Sequence, residues 1–153
     1  MKLASAIRET LSMSTPASPV RKAQRTAKWA RTMTKWLIAY RHARGPRWNI
    51  VDFGGATGAE SSGVVDLMAI RKDHGRPVGR TKRGDLFEVI LIQVKGGGSR
   101  RPTVSDLARL QVVAKHHRAK AVVLATWRRD KELRLEQLKN GQWIDAEPHE
   151  IFG

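Results

Sequence analysis

The chain is 153 residues long, 41% hydrophobic and free of cysteine, so one compact domain is expected, and disulfides and thiolate zinc sites are excluded. No apolar run is long enough for a transmembrane helix, so we expect no membrane partner. The absence of cysteine suits a reducing compartment, so we expect an intracellular location, in the cytoplasm or on the nucleoid. Lys and Arg number 29 against 14 Asp and Glu, and the net charge of +15 favours a nucleic-acid partner over mere solubility charge.

Residues 1–19 are rich in Ser and Pro, which predicts a flexible N-terminal segment with a short helix near Leu3–Leu11. An organelle transit peptide is the alternative, but Glu9 and the shortness of the segment argue against it. We expect a single domain over residues 20–153.

The stretch from Val20 to about Ala43 has a helical period. The large apolar residues recur at i, i+4, i+7, i+8 and i+11, which predicts one core-facing stripe. These residues are Trp29, Met33, Trp36, Leu37 and Tyr40. We expect the two tryptophans to anchor the core, with base stacking as the alternative role.

The remaining faces of this predicted helix are basic. No acid occurs between Glu9 and Asp52, so no nearby acid in the sequence neutralises the charge. This favours a surface that contacts phosphates, with a merely solvated face as the alternative. The predicted contacts are Arg21, Lys22, Arg25, Lys28, Arg31 and Lys35.

A first strand is predicted over Trp48–Phe53, followed by a Gly- and Ser-rich loop over residues 54–63. The loop lacks the GxxxxGK[ST] spacing and no helix follows it, so a nucleoside-triphosphate site is not expected. Glu60 lies in this loop and either adds a carboxylate to a site or is simply solvated.

Two apolar, β-branched runs, Val64–Arg71 and Phe87–Lys95, predict a β-hairpin. Asp66 lies in the first run, and Gln93 and Lys95 end the second on one face, because strand side chains alternate. Burying unpaired polar groups is costly, so their gathering indicates a site. An acid, an amide oxygen and a lysine suit a centre in which a hard metal ion assists phosphodiester cleavage.

The loop between these strands, Lys72–Asp85, is long for a hairpin and basic. It is either a flap against the nucleic-acid backbone, which we favour, or a disordered tip. Its predicted contacts are Arg76, Arg80, Lys82 and Arg83.

After Lys95, a Gly-rich stretch frees the backbone to pass close to a ligand, and Arg100 and Arg101 are further predicted nucleic-acid contacts. Thr103 to Asp106 resembles a capping box and predicts the start of a second helix. Gln111 lies at the edge of the apolar face of that helix and points either into the fold or to the surface.

The C-terminal part predicts more strands. Lys120–Trp127 should be a buried strand and Glu132–Leu138 a half-exposed edge strand. Asn140-Gly141 favours a type I′ turn, so Gln142–Asp145 should fold back on the preceding strand.

Asp66, followed by Gln93-Val94-Lys95 at the end of an apolar strand, resembles the core motif of the PD-(D/E)xK nuclease superfamily. That superfamily includes many restriction endonucleases and archaeal Holliday junction resolvases. Val65 stands where the motif has proline, and Gln93 where it has an acid, although Mrr-like restriction endonucleases carry a similar Gln-x-Lys. The order of predicted elements is also similar, and the resemblance covers roughly residues 25–138.

The resemblance implies an α/β fold with a restriction-endonuclease-like αβββαβ core, in which helices flank a central mixed sheet. It implies a Mg²⁺- or Mn²⁺-dependent DNA endonuclease acting in recombination or repair, with branched or Holliday junction DNA as substrate and a homodimer as one possible state. Asp66, the Gln93 oxygen and the Val94 carbonyl would bind the metal, and Lys95 would orient water or stabilise charge. Glu60 and Gln111 would assist. The alternative is a non-catalytic nucleic-acid-binding protein on a degenerate nuclease fold.

Overall fold

The structure is a computed structural model that describes residues 19–40, 45–54, 63–96, 98–128 and 132–153, with side chains in the first helix from Arg25 onward. The elements are α1 Pro19–Tyr40, β1 Asn49–Asp52, β2 Leu67–Lys72, β3 Phe87–Lys95, α2 Val104–His116, β4 Ala121–Trp127, β5 Leu133–Lys139, β6 Gln142–Asp145 and α3 Pro148–Phe152. The predicted flexible segment lies outside the described residues, except for Pro19, which begins α1. The expected α/β fold, with a mixed sheet flanked by helices, is confirmed.

One six-stranded sheet holds its strands in sequential order, β1 to β6. Only β3 and β4 are parallel, and α2 connects them because a parallel pair needs a crossover. On one face, Ile38 of α1 and Phe152 of α3 pack on Ile92 and its neighbours. On the other face, Leu110 of α2 packs on Val122.

The central hairpin forms as predicted, and its register pairs Leu67 with Ile92. The bounds of β3 agree with the sequence, but β2 begins three residues later than expected, so Asp66 lies just before the strand. The Asp66 amide still donates to the Ile92 carbonyl at 2.9 Å. Asp66 therefore continues the backbone pairing although it lies just before the strand.

The buried stripe of α1 differs from the predicted one. Ala30, Thr34 and Ile38 are completely buried, whereas Trp29 is 53% and Tyr40 77% exposed. The true stripe has the same period but is shifted by one residue, a rotation of about 100°. Small residues let the helix lie close to the sheet, and the Thr34 hydroxyl donates to the Ala30 carbonyl at 2.7 Å, so its burial leaves no unpaired polar group.

The expectation that β5 is an edge strand was wrong, because β6 pairs along its outer side. The turn between them has positive φ at both Asn140 and Gly141, 51° and 76°, as a type I′ turn requires. The short helix α3 was not predicted. It is joined to the start of β1 by the Trp48 indole, which donates to the Phe152 carbonyl at 2.8 Å.

Candidate active site

The Asp66 carboxylate lies where β2 begins and β3 ends. Its Oδ2 accepts a hydrogen bond from the Val94 amide at 2.7 Å, and its Oδ1 accepts one from Arg31 Nη2 at 3.1 Å. Val94 lies beyond the last residue of β3 that pairs with β2, so the side chain of Asp66 takes the place of a backbone acceptor there. The carboxylate is thus held in a defined orientation at the end of the sheet.

Asp52 is a second carboxylate at this end, and the sequence analysis missed it. It ends β1 opposite Leu67, the residue after Asp66. Arg31 Nη1 donates to Asp52 Oδ1 at 2.8 Å and Lys35 Nζ donates to Oδ2 at 2.9 Å. One guanidinium therefore bridges two carboxylates. The signal in the sequence was available, because an antiparallel pair brings the end of the first strand beside the start of the second.

The acids that neutralise part of α1 are distant in the sequence, in agreement with the absence of an acid close to the helix. Burial raises the pKa of Asp52, but hydrogen bonds from Lys35 and the Gly54 amide, with the charges of Lys35 and Arg31, hold that pKa below its usual value. Asp52 is ionised at neutral pH as a result. Arg31 and Lys35 are thus paired with carboxylates that precede β2 or end β1 and are distant in sequence, and their role as phosphate contacts stays a prediction.

Gln93 is buried on β3 with 5% exposure. Its Oε1 has no hydrogen-bond partner within the described part of the chain. The preceding Ile92 accepts a hydrogen bond from the Asp66 amide and the following Val94 donates to the Asp66 carboxylate, so Gln93 is flanked by two residues bonded to Asp66. An unsatisfied buried acceptor costs about 1–3 kcal/mol and is rare in folded proteins.

Lys95 ends β3 two residues beyond Gln93, on the same face of the strand, and is partly exposed. It pairs in register with Thr126 of β4. The pKa of Asp106 is lowered, first by its hydrogen bonds with the backbone and side chain of Thr103 and, as a smaller cause, by the charge of Lys95. The positive charge of Lys95 therefore acts on the first turn of α2.

The glycine after Lys95 allows the chain to approach α1 closely. A Cβ on Gly96 would lie 3.0 Å from Thr26 Cγ2 and 3.3 Å from the Ala27 amide nitrogen. The chain thus passes directly against α1 at this point. This contact brings α1 beside the end of β3, where Asp66 and Arg31 meet.

Of the two assisting residues that the resemblance implies, the structure describes only Gln111, and Gln111 does not lie at this site. Glu60 lies outside the described residues. Gln111 is exposed, and its amide nitrogen lies 3.7 Å from where a Cβ on Gly141 would be, which places it beside the β5–β6 turn. That turn is at the opposite end of β5 from Leu133, which pairs with Trp127 at the Lys95 end of the sheet.

The basic loop between β2 and β3 is built from hydrogen-bonded turns. The Val78 amide donates to Thr81 Oγ1 at 2.9 Å, and the Lys82 amide donates to Asp85 Oδ2 at 2.6 Å. The loop follows the far end of β2, about 20 Å from Asp66 at a strand rise of about 3.3 Å per residue. Its cations Arg76, Arg80, Lys82 and Arg83 are exposed. A duplex would have to span this distance to contact both the loop and Asp66.

The other predicted nucleic-acid contacts differ in whether their side chains are exposed or held in ion pairs. Arg101 makes a bidentate ion pair with the buried Glu136, and both distances are 3.0 Å. Arg101 therefore links the loop before α2 to β5. Arg25, Lys28 and Arg100 are exposed. The side chains of Arg21 and Lys22 lie outside the described residues.

An apolar groove of about 670 Å³ runs between α2 and the segment before β2. Its lining includes Phe53, Val64, Val65 and Val112, with Arg109 at its rim. The groove holds neither Asp66 nor Gln93, and apolar walls provide no groups for bond cleavage. The chemistry of this end of the sheet therefore depends on the polar cluster and not on the groove.

The oxygen atoms of this cluster suit magnesium or manganese. Within the described ranges, no three His, Cys, Asp or Glu side chains gather as a metal cluster. Magnesium, however, keeps several waters and needs only one or two carboxylates beside a substrate phosphate. The Asp66 carboxylate and the buried Gln93 Oε1, which has no donor among the described residues, are the oxygen atoms that could supply such ligands.

None of the described helices is both long and apolar enough to cross a bilayer. Comparison with known proteins adds no relative, because no family model, no curated protein and no solved structure matches the chain. The interpretation of the site therefore depends on its own geometry and on the resemblance of its motif.

Proposed function

We propose that the protein is a metal-dependent endonuclease that hydrolyses phosphodiester bonds in DNA at Asp66, Gln93 and Lys95. The observation that carries the proposal is the buried Gln93 Oε1 without a donor, between two residues that bond to Asp66. A cation at this oxygen would remove the cost of burying it. The order of one helix, three strands, a helix and a strand supports a restriction-endonuclease-like core.

The metal would be held by the Asp66 carboxylate and Gln93 Oε1, with the Val94 carbonyl as the third proposed ligand. When bound, a divalent ion neutralises phosphate charge and makes hydroxide available near neutral pH. Magnesium or manganese is proposed because the ligands are oxygen atoms.

Three groups of the protein have separate roles in the proposed reaction. Lys95 orients the attacking water or stabilises the negative charge that develops on the phosphorane, where a fixed cation is most effective. The Val94 amide keeps the Asp66 carboxylate in place. Arg31 donates a hydrogen bond to Asp66 Oδ1 in the free protein. If a cation bound this oxygen, the guanidinium would have to share it or release it.

DNA is proposed as the substrate because of the net charge of +15 and the exposed Arg25 and Lys28 on α1. The chain closes against α1 at Gly96, so these cations lie on the element that borders the site. Branched or Holliday junction DNA is proposed over a specific sequence, and a homodimer is the proposed assembly on such a substrate.

A second function is favoured by one observation. Arg31 and Lys35 pair with the carboxylates of Asp52 and Asp66, so two cations balance two anions without a metal. This balance suits a nucleic-acid-binding protein that has lost its catalytic centre. The two functions differ in whether DNA is cut.

The deciding experiment is cleavage of supercoiled plasmid and of a synthetic four-way junction with Mg²⁺ or Mn²⁺. For the nuclease, Asp66→Asn should abolish metal-dependent cutting and leave DNA binding in EDTA close to that of the parent. Asp145→Asn is the control, because Asp145 is an exposed acid that pairs with Arg134 and lies on β6, the edge strand farthest from β1. This variant should cut normally. A parent protein that binds both DNAs and cuts neither would support the non-catalytic function.

A further inference from the structure

Two tryptophans form a partly exposed stack at the end of the sheet where β3 and β4 end. The Trp29 and Trp127 ring centroids lie 6.4 Å apart with an angle of 20° between the ring planes. Trp29 is 53% exposed, so this aromatic pair is not a closed part of the core. A large flat apolar surface left in water is typical of a place where a ligand packs.

The pair lies at the same end of the sheet as the proposed site. Trp127 is the last residue of β4, directly after Thr126, which pairs with Lys95. Adjacent strands are about 4.8 Å apart, so the Trp127 backbone lies within about 10 Å of the Lys95 backbone. On the helix side, Trp29 precedes Arg31 by two residues, and Arg31 is the residue that contacts Asp66.

The charges around the stack suit a polyanion. Arg25 lies one turn before Trp29 on the same face of α1. Lys28 directly precedes Trp29 in the sequence, and Arg128 directly follows Trp127. All three side chains are exposed, and within the described residues Arg25 and Lys28 make no ion pair. Flat aromatic rings beside free cations are the combination that single-stranded nucleic acid uses, with bases stacked on rings and phosphates on cations.

A second exposed aromatic pair on the same helix differs from Trp29 and Trp127 in its geometry and its charges. Trp36 is 40% exposed and lies 6.4 Å from Tyr40, but their rings are tilted by 38° instead of stacked. Trp36 lies two turns beyond Trp29, about 10 Å along the axis. The neighbouring Lys35 is paired with Asp52 and so is less available to a phosphate.

We propose that Trp29 and Trp127 form a stacking platform for an unpaired base of the DNA substrate. The substrate class is then DNA with a single-stranded region next to the cut, such as an opened junction or a fork, and not uninterrupted duplex. This inference rests on the proposed function for the identity of the ligand as DNA. Stacking accepts any base, since every base has a π face, so the platform selects structure and not sequence.

The test measures binding in EDTA by fluorescence anisotropy, with labelled oligothymidylate and an abasic oligonucleotide of the same length. Trp29→Ala should weaken binding of oligothymidylate about 5- to 150-fold, the range for one stacked base. Binding of the abasic strand should stay close to that of the parent, because it offers phosphates without bases. Trp29→Phe should keep most of the affinity, and Trp36→Ala is the matched control that should bind as the parent does.

Three outcomes would overturn the platform. They are an unchanged affinity of Trp29→Ala for oligothymidylate, an equal loss for both strands, and a loss in Trp36→Ala as large as in Trp29→Ala. Circular dichroism of each variant checks that it is folded, and retention of binding in Trp29→Phe is the positive result that misfolding cannot imitate. Because no metal is present, failure of the platform stays separate from failure of the nuclease, which the cleavage assay alone reports.

Discussion

Replacing Gln93 with leucine tests whether its buried oxygen is kept for function at the expense of stability. The side chain is 5% exposed and its Oε1 lacks a donor among the described residues, so the fold carries a desolvation penalty of about 1–3 kcal/mol. Leucine is similar in size, and the register partner on β4, Leu124, is itself apolar and buried. The difference in shape between the two side chains reduces the gain. We therefore expect a net stabilisation of about 1 kcal/mol, or about 2–4 °C in melting temperature.

The assay is thermal unfolding followed by circular dichroism in EDTA, beside cleavage of a junction substrate in Mg²⁺. Gln93→Leu should be more stable than the parent and inactive. Gln137→Leu is the matched control, because Gln137 is a strand glutamine that is only partly buried. Its stability should change by less than about 0.5 kcal/mol and its cleavage should be normal.

Gln93→Glu is the complementary change, because it adds a charge to the same position. A buried carboxylate beside Asp66 is opposed by desolvation and by like charge, so the variant should melt below the parent in EDTA. Magnesium should restore its stability, since a ligand that binds only the folded state stabilises it. A unit charge a few ångströms from the ion is worth on the order of a few kcal/mol, so calorimetry should record tighter Mg²⁺ binding.

Several results would refute this reasoning. If Gln93→Leu melts below the parent, Oε1 has a partner in solution and the argument from its burial fails. If that variant still cuts DNA, Gln93 is not a ligand. A Gln93→Glu protein with parental stability in EDTA and parental Mg²⁺ affinity would make Gln93 a bystander and favour the non-catalytic function.

Three further predictions follow from the ion pairs and the exposed charges. The pKa of Asp52 is lower in the folded protein than its usual 3.8, so its stabilising effect is complete above that value and is lost as the pH falls through the folded pKa. In pH-dependent urea unfolding, the parent should therefore exceed Asp52→Asn in stability at about pH 6, and the difference should shrink below about pH 4; a difference that is constant with pH would contradict this. Arg101→Ala leaves Glu136 buried beside the more distant Arg134 and should cost about 1–3 kcal/mol, whereas the double change of Arg101→Ala with Glu136→Gln should recover part of the loss in the same assay. Removing Arg25 and Lys28 together should flatten the salt dependence of duplex binding by about 1.8 in log–log slope if each contacts one phosphate, and an unaltered slope would mean that both are only solvated.

Local patterns in the sequence determined the main elements. The continuous apolar run predicted Phe87–Lys95 to the residue, because such a strand needs only its own β-branched composition to be recognised. The capping box at Thr103 and the Asn140-Gly141 turn formed as predicted, since each depends on side chains within a few residues of one another. The order of elements followed from these signals, and it placed Asp66 and Gln93 on neighbouring strands.

Only the tertiary structure decided which polar groups meet. Arg31 is part of a basic helix in the sequence, but the fold brings it to Asp52 and Asp66, which are 21 and 35 residues away. The helical period correctly predicted that one stripe of α1 is buried but not which one, because that depends on how closely the helix can lie on the sheet. Ala30 and Thr34 allow a close approach that Trp29 would prevent, so the tryptophan lies outside on Trp127. Contacts of this kind depend on packing between distant segments, and periodicity along one segment carries no information about them.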